Sequence, residues 1–314
     1  MATWFGGTGK FDQPRNWSSH EVPQEGDTAV INTGTVLIRN EEIHGVTFSL
    51  QGTSQADQPV LKLKNVDLES NISLSGLATP PGSTFFGELS VSGRVDSSGD
   101  ISLGSGRGPG SPGDLTVDIK HHSEFVNKGT ITLDLASFTV TGASHSSVFV
   151  NDGSVVDVGG VVRVDVPVVG QGTFEEPPTI FSPEFTFGDF VGHGITVDLN
   201  SQGQPALITL DKPMEFLAEI QGFGSGLPNS INLPNTTVTS EHFANNHLKL
   251  FDDHRLVANL NIIGDFTTNQ FVLRPGIGGG TEITFASTGT LFPGTPMAIT
   301  TPADANVVMP IAHS

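Results

Sequence analysis

The sequence predicts an all-β chain wound as a parallel β-helix (a β-solenoid) of about ten coils behind an N-terminal cap. Three observations predict it. The composition is poor in charge and rich in turn formers. Short strand-like segments follow one another from about Thr35 onward. An internal repeat recurs at an offset of 24 residues.

The 314 residues include 38 Gly and 20 Pro, with 36% hydrophobic and 15% charged residues. Ser, Thr, Asn and Gly fill the difference, a balance that suits many short strands joined by frequent turns. Helix-rich proteins carry more Leu, Ala, Glu and Lys. The formal net charge of −19 repels phosphate backbones and anionic membranes, so no nucleic-acid partner is expected. The absence of cysteine removes disulfides, thiol nucleophiles and Cys-ligated zinc. No apolar stretch is long enough to span a membrane, and residues 1–20 lack the charged start and apolar run of an ordinary signal peptide.

Residues 1–34 form the predicted cap. Both tryptophans, Trp4 and Trp17, lie there, beside Phe5, Phe11 and the Gly26-Asp27-Thr28-Ala29-Val30-Ile31 run. An open solenoid end exposes core and strand edge together, so indoles near the terminus suit a plug. The rival reading makes Trp4 and Trp17 a glycan-binding face.

Residues 35–285 form the predicted solenoid. Val36–Ile38, Val46–Leu50, Val60–Leu63, Ile72–Leu74, Glu88–Val95, Asp100–Leu103 and Leu115–Ile119 read as strands bounded by Gly, Asn, Asp or Pro. Phe125-Val126-Asn127-Lys128-Gly129-Thr130-Ile131 then recurs as Phe149-Val150-Asn151-Asp152-Gly153-Ser154-Val155. An offset of this size is one coil, so Phe125 is expected on Phe149 and Asn127 on Asn151 as a structural ladder. Gly129 and Gly153 are expected at a turn of positive φ. The glycine-rich run 104–113 reads as a lateral loop, and residues 286–314 as a tail or capping segment outside the stack. About ten coils at ~4.8 Å would make a rod of roughly 50 Å.

No catalytic signature emerges. Gly108-Pro109-Gly110-Ser111-Pro112-Gly113 matches a dinucleotide pattern only formally, since it contains two prolines and no helix is expected after it. Two histidine groups, His121-His122 and His242, His247, His254 near Asp252-Asp253, need convergence to hold a metal or move a proton, and read as solvated loop residues. No metal or cofactor is expected. Asp118 with Lys120, or Arg163 with Asp165, would share an outer face if the chain were a polysaccharide-acting β-helix enzyme. With 14 Lys plus Arg and no Tyr, the residue balance favours a non-catalytic protein.

Three stretches resemble the repeat and passenger-like regions of large bacterial secreted exoproteins and autotransporter-type adhesins. The first is Trp4-Phe5-Gly6-Gly7, Phe11, Asn16-Trp17, Val22-Pro23 and Gly26 to Ile31, with Phe11 where that family often has a second Trp. The second runs from Gly170-Gln171-Gly172-Thr173-Phe174 through Asp211-Lys212-Pro213-Met214-Glu215-Phe216 to Ile220-Gln221-Gly222-Phe223 and Ile231-Asn232-Leu233, with Ala218 in place of the usual Gly. The third spans Leu256 to Ile262, Gly264-Asp265-Phe266, Phe271-Val272-Leu273 and Gly278-Gly279-Gly280-Thr281-Glu282-Ile283. The resemblance implies a right-handed parallel β-helix, extracellular or at the cell surface, and usually non-catalytic. It departs from an autotransporter in having no C-terminal membrane barrel. The expected function is a structural or adhesive module of the bacterial exterior or biofilm matrix. It would act through its extended surface on matrix, host or copies of itself, with self and extracellular polysaccharide as the expected partners. The alternatives are a polysaccharide-degrading or -modifying enzyme and a non-catalytic glycan-binding module.

Overall fold

Strict inside–outside alternation along short strands closes the chain into three-sided coils that stack in parallel. The computed structural model describes residues 1–52, 54–74, 85–104, 113–142, 146–179, 181–199, 204–224 and 228–285. The stack makes about eight turns, against the ten or so expected from the sequence. Residues 105–112 of the predicted lateral loop and the predicted tail, 286–314, lie outside the described residues.

Each side of the stack is a sheet whose inward residues form a continuous apolar column. On the first side the register runs Ala29, Phe48, Ile72, Ile101, Ile131, Val155, Phe174, Val197 and Ile220. All of these are fully buried. On the second side Val36, Leu61, Leu89, Val117, Val140, Val164, Phe187 and Leu210 do the same. On the third, Val95, Phe125, Phe149, Val168, Val191 and Phe216 follow one another. Burying each such side chain contributes about 1.5–3 kcal/mol, so the columns supply the main cohesion of the stack. Because the side-chain period is two, a slip of one residue would turn a whole strand inside out, and the columns therefore hold the register.

The longest strand, Val60–Leu74, bends round the coil and serves all three sides in turn. It turns at Asn65, whose φ of 49° repeats the 51° of Asn40 one coil earlier. The Asn65 side-chain amide donates to Oδ1 of Asn40 at 3.1 Å. On the next coil this corner is taken by Gly93, at φ 70°. That left-handed conformation favours glycine, and a Cβ there would also press on the Asn65 side-chain amide, which would have to turn aside.

The 125–131 and 149–155 segments pair in register, Phe125 with Phe149 and Asn127 with Asn151. The two phenyl rings stack with centroids 5.9 Å apart and 12° between planes. Gly129 and Gly153 are not at positive φ, contrary to expectation. They are glycine because the coils approach too closely there for a side chain. A Cβ on Gly129 would stand 2.4 Å from the Gly99 carbonyl oxygen, and one on Gly153 2.1 Å from that of Gly129.

Both ends of the stack are covered. At the start, Ala2–Thr3 and Thr8–Lys10 are themselves rungs, parallel to Thr28–Ile31 and Thr35–Arg39. Residues 16–18 then run antiparallel against them: the Ser18 amide donates to the Thr3 carbonyl at 2.9 Å and the Phe5 amide to the Asn16 carbonyl at 3.1 Å. At the far end the predicted parallel coils give way to antiparallel strands. Ser240–Ala244, His247–Asp252 and Arg255–Ile262 form a meander whose last strand lies parallel to Glu219–Gln221. Phe271–Pro275 and Thr281–Phe285 form a second antiparallel pair laid on Ser230–Leu233. The first hairpin turns on Asn245 and Asn246, both at positive φ (52° and 63°), the conformation of a tight two-residue turn.

Candidate functional surface

The first side presents a row of hydroxyl side chains outward. Thr28 lies beside Thr47, and Thr47 beside Asn71. Asp100 bridges the next step, its amide donating to Oδ1 of Asn71 at 2.9 Å while its own Oδ1 accepts from the Thr130 amide at 3.2 Å. The row resumes through Thr130, Ser154, Thr173 and Thr196. These hydroxyl residues are all partly exposed. The Ser154 and Thr173 hydroxyls are 3.0 Å apart, and both reach Oε1 of Glu175. Parallel in-register stacking produces such a row directly, since each outward position repeats at the coil spacing of ~4.8 Å.

The third side carries an ionic cluster. Arg94 donates to both carboxylate oxygens of Asp96, at 2.9 and 3.0 Å, and to Glu124 on the next coil at 2.7 Å. Lys128 reaches Asp96 at 2.7 Å. Burial pushes the Asp96 carboxyl up, but the hydrogen bonds from Arg94 and Lys128 prevail and hold it below the usual carboxylate range. Asn40, Glu41, Glu42, Asn65 and Asp67 continue this surface into a groove of about 570 Å³. Its walls are acidic, and burial together with Asp12 raises the Glu41 carboxyl above its ordinary value. Nearby, His44 Nδ1 sits 2.8 Å from Glu69 and Nε2 3.6 Å from Glu42.

The sequence-predicted sites fall as follows. Trp17 is fully buried and Trp4 is 5% exposed. Their rings meet edge to face at 5.1 Å, and Phe11 packs on Trp17 at 5.6 Å. The Trp17 indole donates to the Phe11 carbonyl at 2.9 Å. The pair is thus enclosed in the terminal core, and no indole face is open for a sugar to stack on. Asn127 and Asn151 are both buried, and the Asn127 side-chain amide donates to Oδ1 of Asn151 at 2.8 Å. Asn151 in turn donates to the Thr173 carbonyl at 3.0 Å. Asp118 with Lys120, and Arg163 with Asp165, each close into an ion pair on the second side, and Arg163 also lies 3.8 Å from Asp211. Hydrogen bonding to Asp165 raises the Arg163 guanidinium further. The rings of His121 and His122 meet edge-on at 3.9 Å on an exposed turn. His242, His247 and His254 lie exposed along the antiparallel meander. Among the described residues, no three His, Asp or Glu side chains converge into a set that could hold a metal ion. Among the same residues no helix is long and apolar enough to cross a membrane.

Sequence reasoning missed the Arg94 cluster and an inward carboxylate, Asp157. The signal for Asp157 was present. Val155 points inward, so strict alternation places Asp157 inward as well, and the 24-residue repeat lays it on Leu133.

Comparison with family models, with curated proteins and with solved structures finds no match.

Proposed function

We propose that this protein is a structural or adhesive module of the bacterial exterior, of the exoprotein and adhesin kind that its three motif stretches resemble. In this reading it works through its lateral surface, holding an extended polymer such as a matrix polysaccharide. One observation carries the reading: the outward row Thr130, Ser154, Thr173 and Thr196, in register on successive coils. An in-register row of partly exposed hydroxyl residues recurs from coil to coil, which suits a repeating ligand better than a single small molecule. Covered ends support lateral contact over end-to-end growth, because residues 16–18 lie antiparallel along the first rung and Thr281–Phe285 along Ser230–Leu233, so that at each end a parallel edge is already taken.

The test is co-sedimentation with insoluble neutral and acidic polysaccharides, comparing the natural chain with a Thr173→Arg, Thr196→Arg variant. Retention with the polymer, lost in the variant at unchanged melting temperature, is the expected result. Equal retention of both proteins would overturn the role of the row. Release of soluble fragments that stops on Asp118→Asn or Arg163→Ala substitution would replace the adhesive reading with an enzymatic one.

A further inference from the structure

Where the antiparallel meander meets the last coils, the surface forms a pocket of about 500 Å³. Part of its wall is the turn Pro213–Glu215, which leads from the second side of the stack to the third. Asp252 and Arg255, at the hairpin turn of the meander, supply another part, and Thr236 and Thr237 a third. These segments are tied down from outside the pocket. The Asp253 amide donates to Oγ1 of Thr239 at 2.7 Å, and the Val238 amide to Oγ1 of Thr281 at 2.9 Å. A pocket whose backbone is already held loses little freedom when it binds.

The charges of the pocket are unevenly committed. Lys212 is held by Asp189 at 2.7 Å and by Glu215 at 3.7 Å. Asp252 and Arg255 are partners in the strand register, yet their side chains do not close on one another. Among the described residues neither side chain enters an ion pair or a hydrogen bond. Arg94 and Arg163 differ, since Asp96 and Asp165 each take up two of their donors. Arg255 therefore presents an open guanidinium fork, and Asp252 beside it presents open acceptors. Met214, 51% exposed, adds an apolar surface to the same pocket, and Thr236 and Thr237 add hydroxyls.

We infer, on the basis of the polysaccharide reading above, that this pocket holds one uronate unit of an acidic polysaccharide, with the sugar carboxylate on Arg255. A planar carboxylate matches the guanidinium fork in two parallel hydrogen bonds. Asp252 then accepts from ring hydroxyls, the threonine hydroxyls serve as donors or acceptors, and the flexible Met214 packs on the C–H face of the ring. A neutral sugar would leave Arg255 without a counter-charge. A phosphate would set a second negative charge beside Asp252 and Glu215. The net charge of −19 does not forbid an acidic ligand, because salt at about 0.15 M screens exposed charges beyond about 8 Å and leaves the contacting groups to decide. The pocket is separate from the hydroxyl row, which belongs to the first side.

The experiment is titration calorimetry with tetramers of galacturonate, glucuronate and mannuronate, each beside its carboxyl-reduced neutral form. At least one uronate tetramer is expected to bind, and its neutral form to bind about tenfold more weakly or worse. Arg255→Gln is expected to abolish that preference and Arg255→Lys to restore it in part, both at the natural melting temperature, since Arg255 is exposed. The Thr173→Arg, Thr196→Arg variant is expected to bind the tetramer as the natural chain does. No preference for any uronate, or a preference unchanged in Arg255→Gln, would overturn the inference. Binding of free glycine that depends on Arg255, with no uronate bound, would overturn it in favour of a small zwitterion. If polysaccharides sediment with the protein but no uronate is preferred, the pocket fails and the polysaccharide reading stands. If no polysaccharide sediments with it, that reading fails, and uronate binding that is lost in Arg255→Gln would still uphold the pocket.

Discussion

The side-chain amide of Asn127 donates to Oδ1 of Asn151 across adjacent coils at 2.8 Å, inside the same register that stacks Phe125 on Phe149. A polar ladder in a solenoid core holds coils at one height, because an amide displaced by a residue loses its partner and gains none. Asn151→Ala removes the acceptor for Asn127 and the donor to the Thr173 carbonyl together. The expected loss is about 1–3 kcal/mol for each buried group left unpaired. It is read as a lower midpoint in urea unfolding at unchanged slope.

Gly153→Ala sets a Cβ 2.1 Å from the Gly129 carbonyl oxygen, on backbone that cannot step aside without parting two coils. Gly192→Ala is the control, since its Cβ would meet nothing nearer than the Val168 carbonyl oxygen at 3.5 Å. The first variant is expected to melt well below the natural chain or to be recovered insoluble. The second is expected to melt close to it. Equal melting temperatures would mean that coil spacing is not set at this glycine.

The enclosed tryptophans make an optical prediction. Emission is expected to be blue-shifted and poorly quenched by acrylamide, and addition of glycans is expected to leave it unchanged. Trp17→Ala is expected to cost about 3–5 kcal/mol, as large-to-small changes in a packed core do. A red-shifted, readily quenched spectrum would place the indoles at the surface and revive a glycan face there.

His44 lies on an exposed edge between two acids. Its hydrogen bond to Glu69, with support from Glu42, raises the imidazole above its ordinary 6.5. The folded chain therefore holds this proton more tightly than the unfolded chain. The contribution is complete below pH 6.5 and disappears as pH rises through the raised value. NMR titration is expected to show His44 titrating above the ordinary 6.5, and Glu69→Gln to bring it back toward that value.

Much of the fold was legible because parallel stacking repeats local patterns. The repeat at Phe125 and Phe149 states its own register, and alternation states which residues face the core. The roles of Gly129 and Gly153 were misread for a specific reason. Positive φ and close approach both select glycine, and only the position of the neighbouring coil tells them apart. The antiparallel end was also missed. The Asn245-Asn246 pair is a tight-turn signal, but strands that return alternate in the same way as strands that continue.

The sequence by itself determined the strands, their inward faces and the one-coil repeat, because backbone sterics and a side-chain period of two act over a few residues. The tertiary structure alone decided the burial of Trp4 against Trp17, the Arg94 bridge to Glu124, and the meeting of Met214 and Arg255 in one pocket. Each of these depends on residues that are far apart in the chain and become neighbours only when one coil comes to rest on the next.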